Sequence, residues 1–228
     1  MLKGKGIITD LQKEVLSVFC QIPDSQTFYL TGGTALSEFY MGHRLSYDLD
    51  FFTSESGLIQ PFSDVIQAEM GKREFSVITM RRFQTFTEFK LAKKEEETII
   101  HLAYDSPFRF SPPVDSACGV RVNDYTDIIV DKLLTFFGRV EPRDAVDLFF
   151  ILKKEDLWRL SVLAPQKDPG FDLYWLAVAL EKVRDFPDEI EKWPVDMLIE
   201  VNARELKSKF LRLAREIMDK MKEGSDRS

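Results

Sequence analysis

The stretch that decides the fold of this chain is LTGGTALSEFYMGHRLSYDLDFFT, Leu30–Thr53. A short apolar strand ends at the pair Gly32-Gly33, and the residues from Thr34 to Tyr40 begin a predicted helix. Strict alternation of polar and apolar residues over Tyr47–Thr53 then predicts a second strand. The stretch therefore predicts a strand, a glycine turn, a helix and a strand in close succession.

Asp48 and Asp50 are separated by one residue in the second strand. Because side chains in a strand alternate between its two faces, both carboxylates lie on one face, and Leu49 and Phe51 lie on the other. Adjacent carboxylates repel each other unless a cation lies between them, and Mg²⁺ commonly binds one or two carboxylates together with substrate phosphates. An Asp-x-Asp pair alone is also common in proteins that bind no metal, so the metal hypothesis needs a second feature.

The glycine pair before the helix is that second feature. Glycines between a strand and a helix allow backbone N–H groups to approach a phosphate, and a helix N-terminus favours negative charge. A lone Gly-Gly is more often only a tight turn. Next to Asp48 and Asp50, however, Gly32, Gly33 and Thr34 predict a phosphate cradle that faces a metal site.

The pattern of the chain changes near residue 123. The first part alternates helix and strand patterns, and the second part has the apolar spacing of helices. Prolines are expected to separate those helices, at Pro165, Pro169, Pro187 and Pro194. We therefore predict an α/β (α+β) fold, in which a mixed sheet with flanking helices, residues 1–123, is followed by a helical domain, residues 124–228.

The composition argues against several classes of protein. A net charge of −7 disfavours an extended DNA-binding surface, although a nucleotide or one RNA end needs only a local basic pocket. The two cysteines, Cys20 and Cys118, are far apart, which argues against a disulfide framework or a cysteine-based zinc site. No apolar run approaches the roughly 20 residues of a membrane helix, and the N-terminus does not read as a signal peptide. We therefore expect a cytoplasmic protein with no membrane partner.

Two motifs resemble a known family. Gly-Gly-Thr-Ala-Leu, a helix and then His-Arg-x-Ser-x-Asp-Leu-Asp-Phe-Phe is similar to the signature of the AbiEii/AbiGii toxin nucleotidyltransferases, within the polymerase-β-like nucleotidyltransferase superfamily. The resemblance continues in Asp131-Lys132-Leu133-Leu134 and in RVEPRDAVDLF, which starts at Arg139, and it spans residues 27 to about 152. It implies a nucleotidyltransferase fold and the transfer of a nucleoside monophosphate from a nucleoside triphosphate to a hydroxyl acceptor.

The resemblance also implies roles for the matching residues. The cradle, Gly32, Gly33 and Thr34, would hold the nucleotide phosphates, and Asp48 and Asp50 would bind Mg²⁺ or Mn²⁺. Lys132 would contact the triphosphate. The site would be completed from the helical domain by Arg143, Asp144 and Asp147. The residues that the resemblance implies for the chemistry itself are Asp48, Asp50, Lys132 and Asp144.

One position departs from the superfamily pattern, which usually adds a third carboxylate from a later strand. His101 stands at the aligned position in ETIIHLAYDSPFRF, and Asp105 follows four residues later. Three alternatives stay open: His101 replaces the carboxylate, Asp105 is the third metal ligand, or catalysis is impaired.

Structural roles compete with several of these assignments. Arg44 either reaches a phosphate or orients Asp50, or else it packs with His43 as a hinge over the helix, and Ser46 would cap the turn before the strand. Lys132 could instead pair with its neighbour Asp131 at the surface, which would contribute little stability. Arg143 and Asp147 are four residues apart and could form an ion pair within one helix.

Three functions therefore stay open. The leading one is a Mg²⁺-dependent nucleotidyltransferase, the toxin-like component of a toxin–antitoxin system. The alternatives are a non-catalytic nucleotide-binding module and a two-metal phosphohydrolase that uses the same carboxylates on water. The expected partners are a nucleoside triphosphate, an RNA (tRNA) or protein acceptor, and a cognate antitoxin protein.

Overall fold

The computed structural model describes residues 1–225 of the chain. These residues form two compact units, the first from Met1 to Ile128 and the second from Ile129 onward. The first unit contains the sheet, and the second is helical. The assignment of residues 1–123 and 124–228 to separate functional roles stays a prediction.

The first unit contains a seven-stranded mixed sheet with the strand order β3-β4-β5-β2-β1-β7-β6. Strand β2 runs parallel to β5, and β1 runs parallel to β7, whereas the remaining neighbours are antiparallel. Its elements are α1 (Asp10–Phe19), β1 (Tyr29–Thr31), α2 (Gly32–Ala35), β2 (Asp48–Thr53), α3 (Ile59–Gly71), β3 (Ser76–Phe83), β4 (Phe86–Lys93), β5 (Glu96–Tyr104), β6 (Val114–Asp115) and β7 (Arg121–Val122).

The core of the first unit fixes the orientation of β2. Phe51, on the inner face of β2, stacks on Phe19 of α1 with ring centroids 3.7 Å apart. Phe19 also contacts Phe62 of α3, and all three rings are buried. Because the neighbouring residues of a strand point to opposite faces, Asp48 and Asp50 are directed away from this core. We call the side of the sheet that carries them the open face.

The helix predicted to begin at Thr34 has an unusual geometry. Helix α2 continues as a π-helical segment, Leu36–Met41. The segment ends at Gly42, which has a φ of 69° and donates its N–H to the carbonyl of Ser37 at 2.8 Å. Short π-helical segments are rare and are frequent at functional sites. This one lies between the glycine pair and the strand that carries the aspartates.

The second unit consists of helices around a buried apolar core. Helix α4 (Tyr125–Arg139) begins at the end of the first unit and is followed by α5 (Pro142–Ile151), α6 (Leu157–Lys167), α7 (Leu173–Glu181) and α8 (Ala203–Ser225). In the core, Phe136 of α4 makes an edge-to-face contact with Phe210 of α8, with ring centroids 5.4 Å apart. Both rings are fully buried, so α4 and α8 are held together by packing that sequence periodicity predicted only in outline.

The prediction that Pro165 separates two helices is wrong. Pro165 lies inside α6, two residues before its last residue, Lys167, whereas Pro169, Pro187 and Pro194 lie outside the helices. A proline near the end of a helix removes only one backbone hydrogen bond, and the preceding turns keep theirs. Within residues 1–225, no helix combines the length and the apolar composition that a membrane span requires.

Candidate active site

The two aspartates of β2 lie in register with β5. Asp50 is the Cα partner of His101, and Asp48 is the partner of Ile99. Burial alternates along β2, with Leu49 and Phe51 fully buried and Asp48 and Asp50 partly exposed. The predicted strand and the predicted same-face arrangement of the two carboxylates are therefore confirmed.

His101 occupies the position next to Asp50 on the open face. Its Nδ1 lies 2.7 Å from Oδ1 of Asp50, and each side chain is 23% exposed. Burial lowers the pKa of His101, but the hydrogen bond to Asp50 and the charges of Asp50, Asp48 and Glu88 outweigh that effect and raise the pKa above its ordinary value. The structure thus brings His101, and not a carboxylate, against the proposed metal ligand.

Gly32 lies directly against Asp50. Its φ of 72° is a left-handed conformation that favours glycine. A Cβ atom built on Gly32 would overlap the carboxylate of Asp50. The glycine therefore allows a close approach between the turn after β1 and the acidic strand, as expected for a cradle beside a metal site.

Gly33, in the same turn, lies against the buried guanidinium group of Arg44. A Cβ atom built on Gly33 would lie 2.6 Å from Nη2 of Arg44 and 2.7 Å from Oγ of Ser46. Arg44 is 5% exposed and donates from Nη1 to the carbonyl of Leu45 at 2.8 Å. The guanidinium is thus held next to the glycine turn, where it can neutralise phosphate charge.

Thr34 and Gln12 hold the loop before β2 in place. The hydroxyl of Thr34 lies within hydrogen-bonding distance of the carbonyls of Ser46 and Asp48. Gln12 caps α1 by a reciprocal pair of hydrogen bonds with Thr9 and donates its side-chain amide to the Ser46 carbonyl at 2.9 Å. The Thr34 side chain is thus engaged with backbone carbonyls of the loop and of β2.

Asp105 is not brought together with the other two aspartates. Its N–H donates to the carbonyl of Thr53 at 2.8 Å, and Thr53 lies three residues beyond Asp50, about 10 Å along the strand. The carboxylate accepts hydrogen bonds from the hydroxyl of Tyr29 at 2.7 Å and from Nη2 of Arg109 at 3.1 Å. Among the described residues, no group of three or more His, Cys, Asp or Glu side chains is arranged to hold a metal ion. The predicted set of Asp48, Asp50 and Asp105 therefore does not assemble.

In the second unit, Lys132 forms a buried ion pair. Its Nζ lies 2.7 Å from Oδ2 of Asp147, and the side chains are 8% and 0% exposed. Lys132 is on α4 and Asp147 is on α5, so the pair joins two helices. Asp131, the neighbour that sequence suggested as a partner of Lys132, forms an ion pair with Lys167 at 2.7 Å. The surface-pair interpretation of Lys132 does not describe this geometry.

Arg139 organises the beginning of α5, a role that the sequence alone did not reveal. It donates to both carboxylate oxygens of Asp144, from Nε at 2.7 Å and from Nη2 at 3.1 Å. Arg143 instead donates from Nε to Glu141 at 2.9 Å. The only signal in the sequence was the presence of Arg139 at the start of the second motif, because pattern cannot show which of two nearby arginines meets a buried aspartate.

A comparison with protein families places the chain. The model of the nucleotidyl transferase AbiEii toxin family, which is described as part of a type IV toxin–antitoxin system, matches residues 14–219. The chain belongs to the AbiEii toxin family. The predicted family and the predicted nucleotidyltransferase activity are thereby confirmed, and this AbiEii-family protein is a toxin nucleotidyltransferase.

Sequence and structure comparisons agree with this placement. An uncharacterised protein of Aquifex aeolicus is 27% identical over 190 residues, which cover 78% of this chain and 84% of that protein. A putative nucleotidyltransferase from Helicobacter pylori has a TM-score of 0.60 at 20% identity, covering 95% of this chain and 98% of its own. MenT4, a nucleotidyltransferase toxin from Mycobacterium tuberculosis, has a TM-score of 0.57 at 16% identity, covering 92% and 82%. At these identities the solved structures show a shared fold, and the predicted fold class is confirmed.

Proposed function

We propose that this AbiEii-family protein transfers a nucleoside monophosphate from a nucleoside triphosphate to a hydroxyl acceptor, with Mg²⁺ or Mn²⁺ at Asp48 and Asp50. The observation that carries the proposal is the contact between the turn at Gly32 and the carboxylate of Asp50, with the buried Arg44 beside Gly33. Carboxylates, a close-approaching backbone and a buried cation are the groups that bind a metal–nucleotide complex.

The residues present fit a divalent cation that shares its ligands with a nucleotide. Mg²⁺ is usually bound by one or two carboxylates plus substrate phosphates, so Asp48 and Asp50 suffice without a third carboxylate. The absent side chain of Gly32 keeps the space beside Asp50 open. When bound, the cation would neutralise phosphate charge and favour in-line displacement at the α-phosphate.

The other residues of the chain have roles in binding and orientation. Main-chain N–H groups of the Gly32-Gly33 turn and the guanidinium of Arg44 would hold phosphate oxygens. His101 would orient the carboxylate of Asp50 through the contact at 2.7 Å. Lys132, which the ion pair with Asp147 holds in place, would contact the β- and γ-phosphates. Asp144, held by Arg139, would shape the start of α5 near the second motif.

The proposed partners follow from the family and the chemistry. The nucleoside triphosphate is the donor, and the acceptor is a hydroxyl group of an RNA, such as a tRNA, or of a protein. The family description names a toxin–antitoxin system, so we propose a cognate antitoxin protein encoded near this chain. Co-expression of neighbouring genes that relieves growth inhibition would identify it.

The direct test supplies each of the four triphosphates, labelled at the α-phosphate, with Mg²⁺ and an extract of RNA and protein. Label in a macromolecule together with released pyrophosphate supports the proposal. Free nucleoside monophosphate as the sole product would instead indicate a phosphohydrolase, and binding without turnover would indicate a binding module. The Asp48→Asn, Asp50→Asn double variant is the negative control, and His101→Asp tests whether a third carboxylate raises the rate.

A further inference from the structure

An aromatic pair lies exposed at the tip of the β3–β4 hairpin. Phe83 and Phe86 are direct cross-strand partners that close the two-residue turn Gln84-Thr85. Phe83 is 62% exposed, and Phe86 is partly exposed. Neighbouring exposed apolar side chains can mark a site of interaction. Ile78 and Met80 of the same strand, β3, are also exposed, at 53% and 55%.

The sheet register connects this pair to the acidic site. Phe86 is the partner of Ala103 on β5, which in turn is the partner of Phe52 on β2. This row runs beside a second row, in which Glu88, His101 and Asp50 are successive partners. The ring of Phe86 lies 5.6 Å from the ring of His101, at an angle of 30°. Phe83 and Phe86 are therefore on the open face, two strands from Asp50.

The charge of this hairpin is opposite to that of the whole chain. From Ser76 to Lys93, the hairpin contains four basic side chains and one acidic side chain, a net charge of +3, whereas the chain as a whole carries −7. Arg81, whose side chain is 67% exposed, lies next to the aromatic pair and only 3.4 Å from Glu88, whereas Arg82 is paired with Asp64 of α3. Arg81 thus forms an ion pair with Glu88, and most of its side chain remains exposed to solvent at the edge of the open face.

Aromatic rings beside a local basic surface match one kind of occupant best. Unpaired bases stack on Phe side chains, and the accompanying phosphates bind Arg and Lys. A second copy of the chain would bring an equally basic hairpin against this one, and electrostatic repulsion opposes that arrangement. An acidic peptide would pair with the basic side chains of the hairpin, but its carboxylates would make no stacking contact with the two exposed rings.

We propose that Phe83, Phe86 and Arg81 form an acceptor subsite that stacks an unpaired base of a single-stranded polynucleotide and contacts its phosphate. The inference rests on the proposed function, because it places the hydroxyl acceptor on the His101 side of Asp50. It adds to that function the class of acceptor and the residues that position it. The base would lie over Phe86, and the chain of the polynucleotide would leave past Phe83.

The test measures binding without the reaction. Fluorescence anisotropy with labelled RNA octamers, in EDTA and without triphosphate, compares oligo(A), oligo(U) and an abasic octamer of equal charge. If bases stack on the rings, the affinity should be highest for oligo(A), lower for oligo(U) and lowest for the abasic octamer. Phe83→Ala and Phe83→Ala with Phe86→Ala should weaken oligo(A) binding about tenfold or more, and Phe83→Trp should retain it. Phe108→Ala, which removes an exposed ring in the loop after β5, is the matched control.

Arg81→Ala provides a second readout that stacking does not affect. Loss of one phosphate contact should lower the slope of log affinity against log salt by about 0.7, while the preference for oligo(A) over the abasic octamer persists. Equal affinity for abasic and oligo(A) octamers, full affinity in the phenylalanine variants, or no binding by the unmodified protein would each overturn the subsite. Label transfer to protein alone, without octamer binding, would overturn it and leave the proposed function intact. Octamer binding of the expected pattern with no label transfer would support the subsite and contradict the proposed function.

Discussion

His101 and Asp50 face each other on parallel neighbouring strands, with Nδ1 of the histidine 2.7 Å from Oδ1 of the aspartate. Sequence alignment with the superfamily pattern expects a carboxylate where His101 stands. The structure replaces a third negative charge with a group that is itself attracted to the acidic pair. The site therefore carries less negative charge than a three-carboxylate site. The titration of His101 should show how strongly the acidic pair holds the proton of the histidine.

The pKa of His101 is expected to lie above its ordinary value of about 6.5. Since the folded state raises this pKa, the stabilising contribution of the His101–Asp50 pair is complete below the unfolded-state pKa and is lost as the pH rises through the folded-state pKa. Asp50→Asn should lower the pKa of His101, because the substitution removes the charge of Asp50 and burial, which lowers the pKa, then has the larger effect. The measurement is an NMR titration of the ring protons in the metal-free protein, which has only two histidines.

His43, the other histidine, serves as the internal reference for that titration. Comparison with His101→Asn assigns the two signals. An unchanged His101 titration in Asp50→Asn would show that the contact with Asp50 does not hold the proton.

Gly32→Ala is expected to abolish most of the affinity for metal–nucleotide, whereas Gly57→Ala is not. Both glycines have a positive φ, 72° and 81°, so the backbone strain of either substitution should lower the free energy of unfolding by about 1 kcal/mol. A Cβ atom on Gly32 meets the Asp50 carboxylate, but one on Gly57 meets nothing within 4 Å. Calorimetric titration with Mg²⁺ and a triphosphate should show a loss of about tenfold or more for Gly32→Ala alone. Equal affinity of the two variants for the metal–nucleotide complex would show that the Gly32 turn only connects β1 to α2.

Lys132→Ala is expected to affect stability and triphosphate binding separately. Asp147 is fully buried, and removal of one partner of a buried ion pair costs about 3 kcal/mol of folding free energy. If Lys132 also contacts the β- and γ-phosphates, triphosphate affinity should fall about ten- to a hundredfold, and monophosphate affinity should change little. Chemical denaturation and calorimetry measure the two effects.

A double variant separates the two roles of Lys132. Lys132→Met with Asp147→Asn removes both charges and should recover most of the lost stability. Triphosphate affinity should stay low in the double variant, because the ammonium group is still absent. Recovery of affinity together with stability would assign Lys132 to packing alone.

Val140→Asn is expected to stabilise the second unit. Val140 has a φ of 40°, which strains a β-branched residue, and Asn tolerates this conformation better. Val140 also lines an open cleft beside Phe137 and Lys182, so little packing is lost. The free energy of unfolding should rise by about 1 kcal/mol. Val162→Asn, at an exposed position in α6, should change it by less than about 0.5 kcal/mol, and an equal change in both variants would argue against strain at Val140.

Sequence pattern alone determined the local features of this protein. The alternation over Tyr47–Thr53 is a property of neighbouring residues, so it predicted β2 and the shared face of Asp48 and Asp50 before any partner strand was known. The N-cap at Thr9 is also a local feature, because its capping box joins residues only three positions apart. The family motifs added the fold and the class of reaction, which residue periodicity does not contain.

Only the tertiary structure decided which side chains meet. His101 and Asp105 share a strand pattern and differ by four residues, yet strand register places His101 against Asp50 and leaves Asp105 with Tyr29 and Arg109. In the same way, Lys132 pairs with Asp147 from another helix, and Asp131 pairs with Lys167. Register and helix packing are set by the burial of distant apolar residues such as Phe19 and Phe51, so contacts between charged groups far apart in the chain follow from the core and not from local pattern.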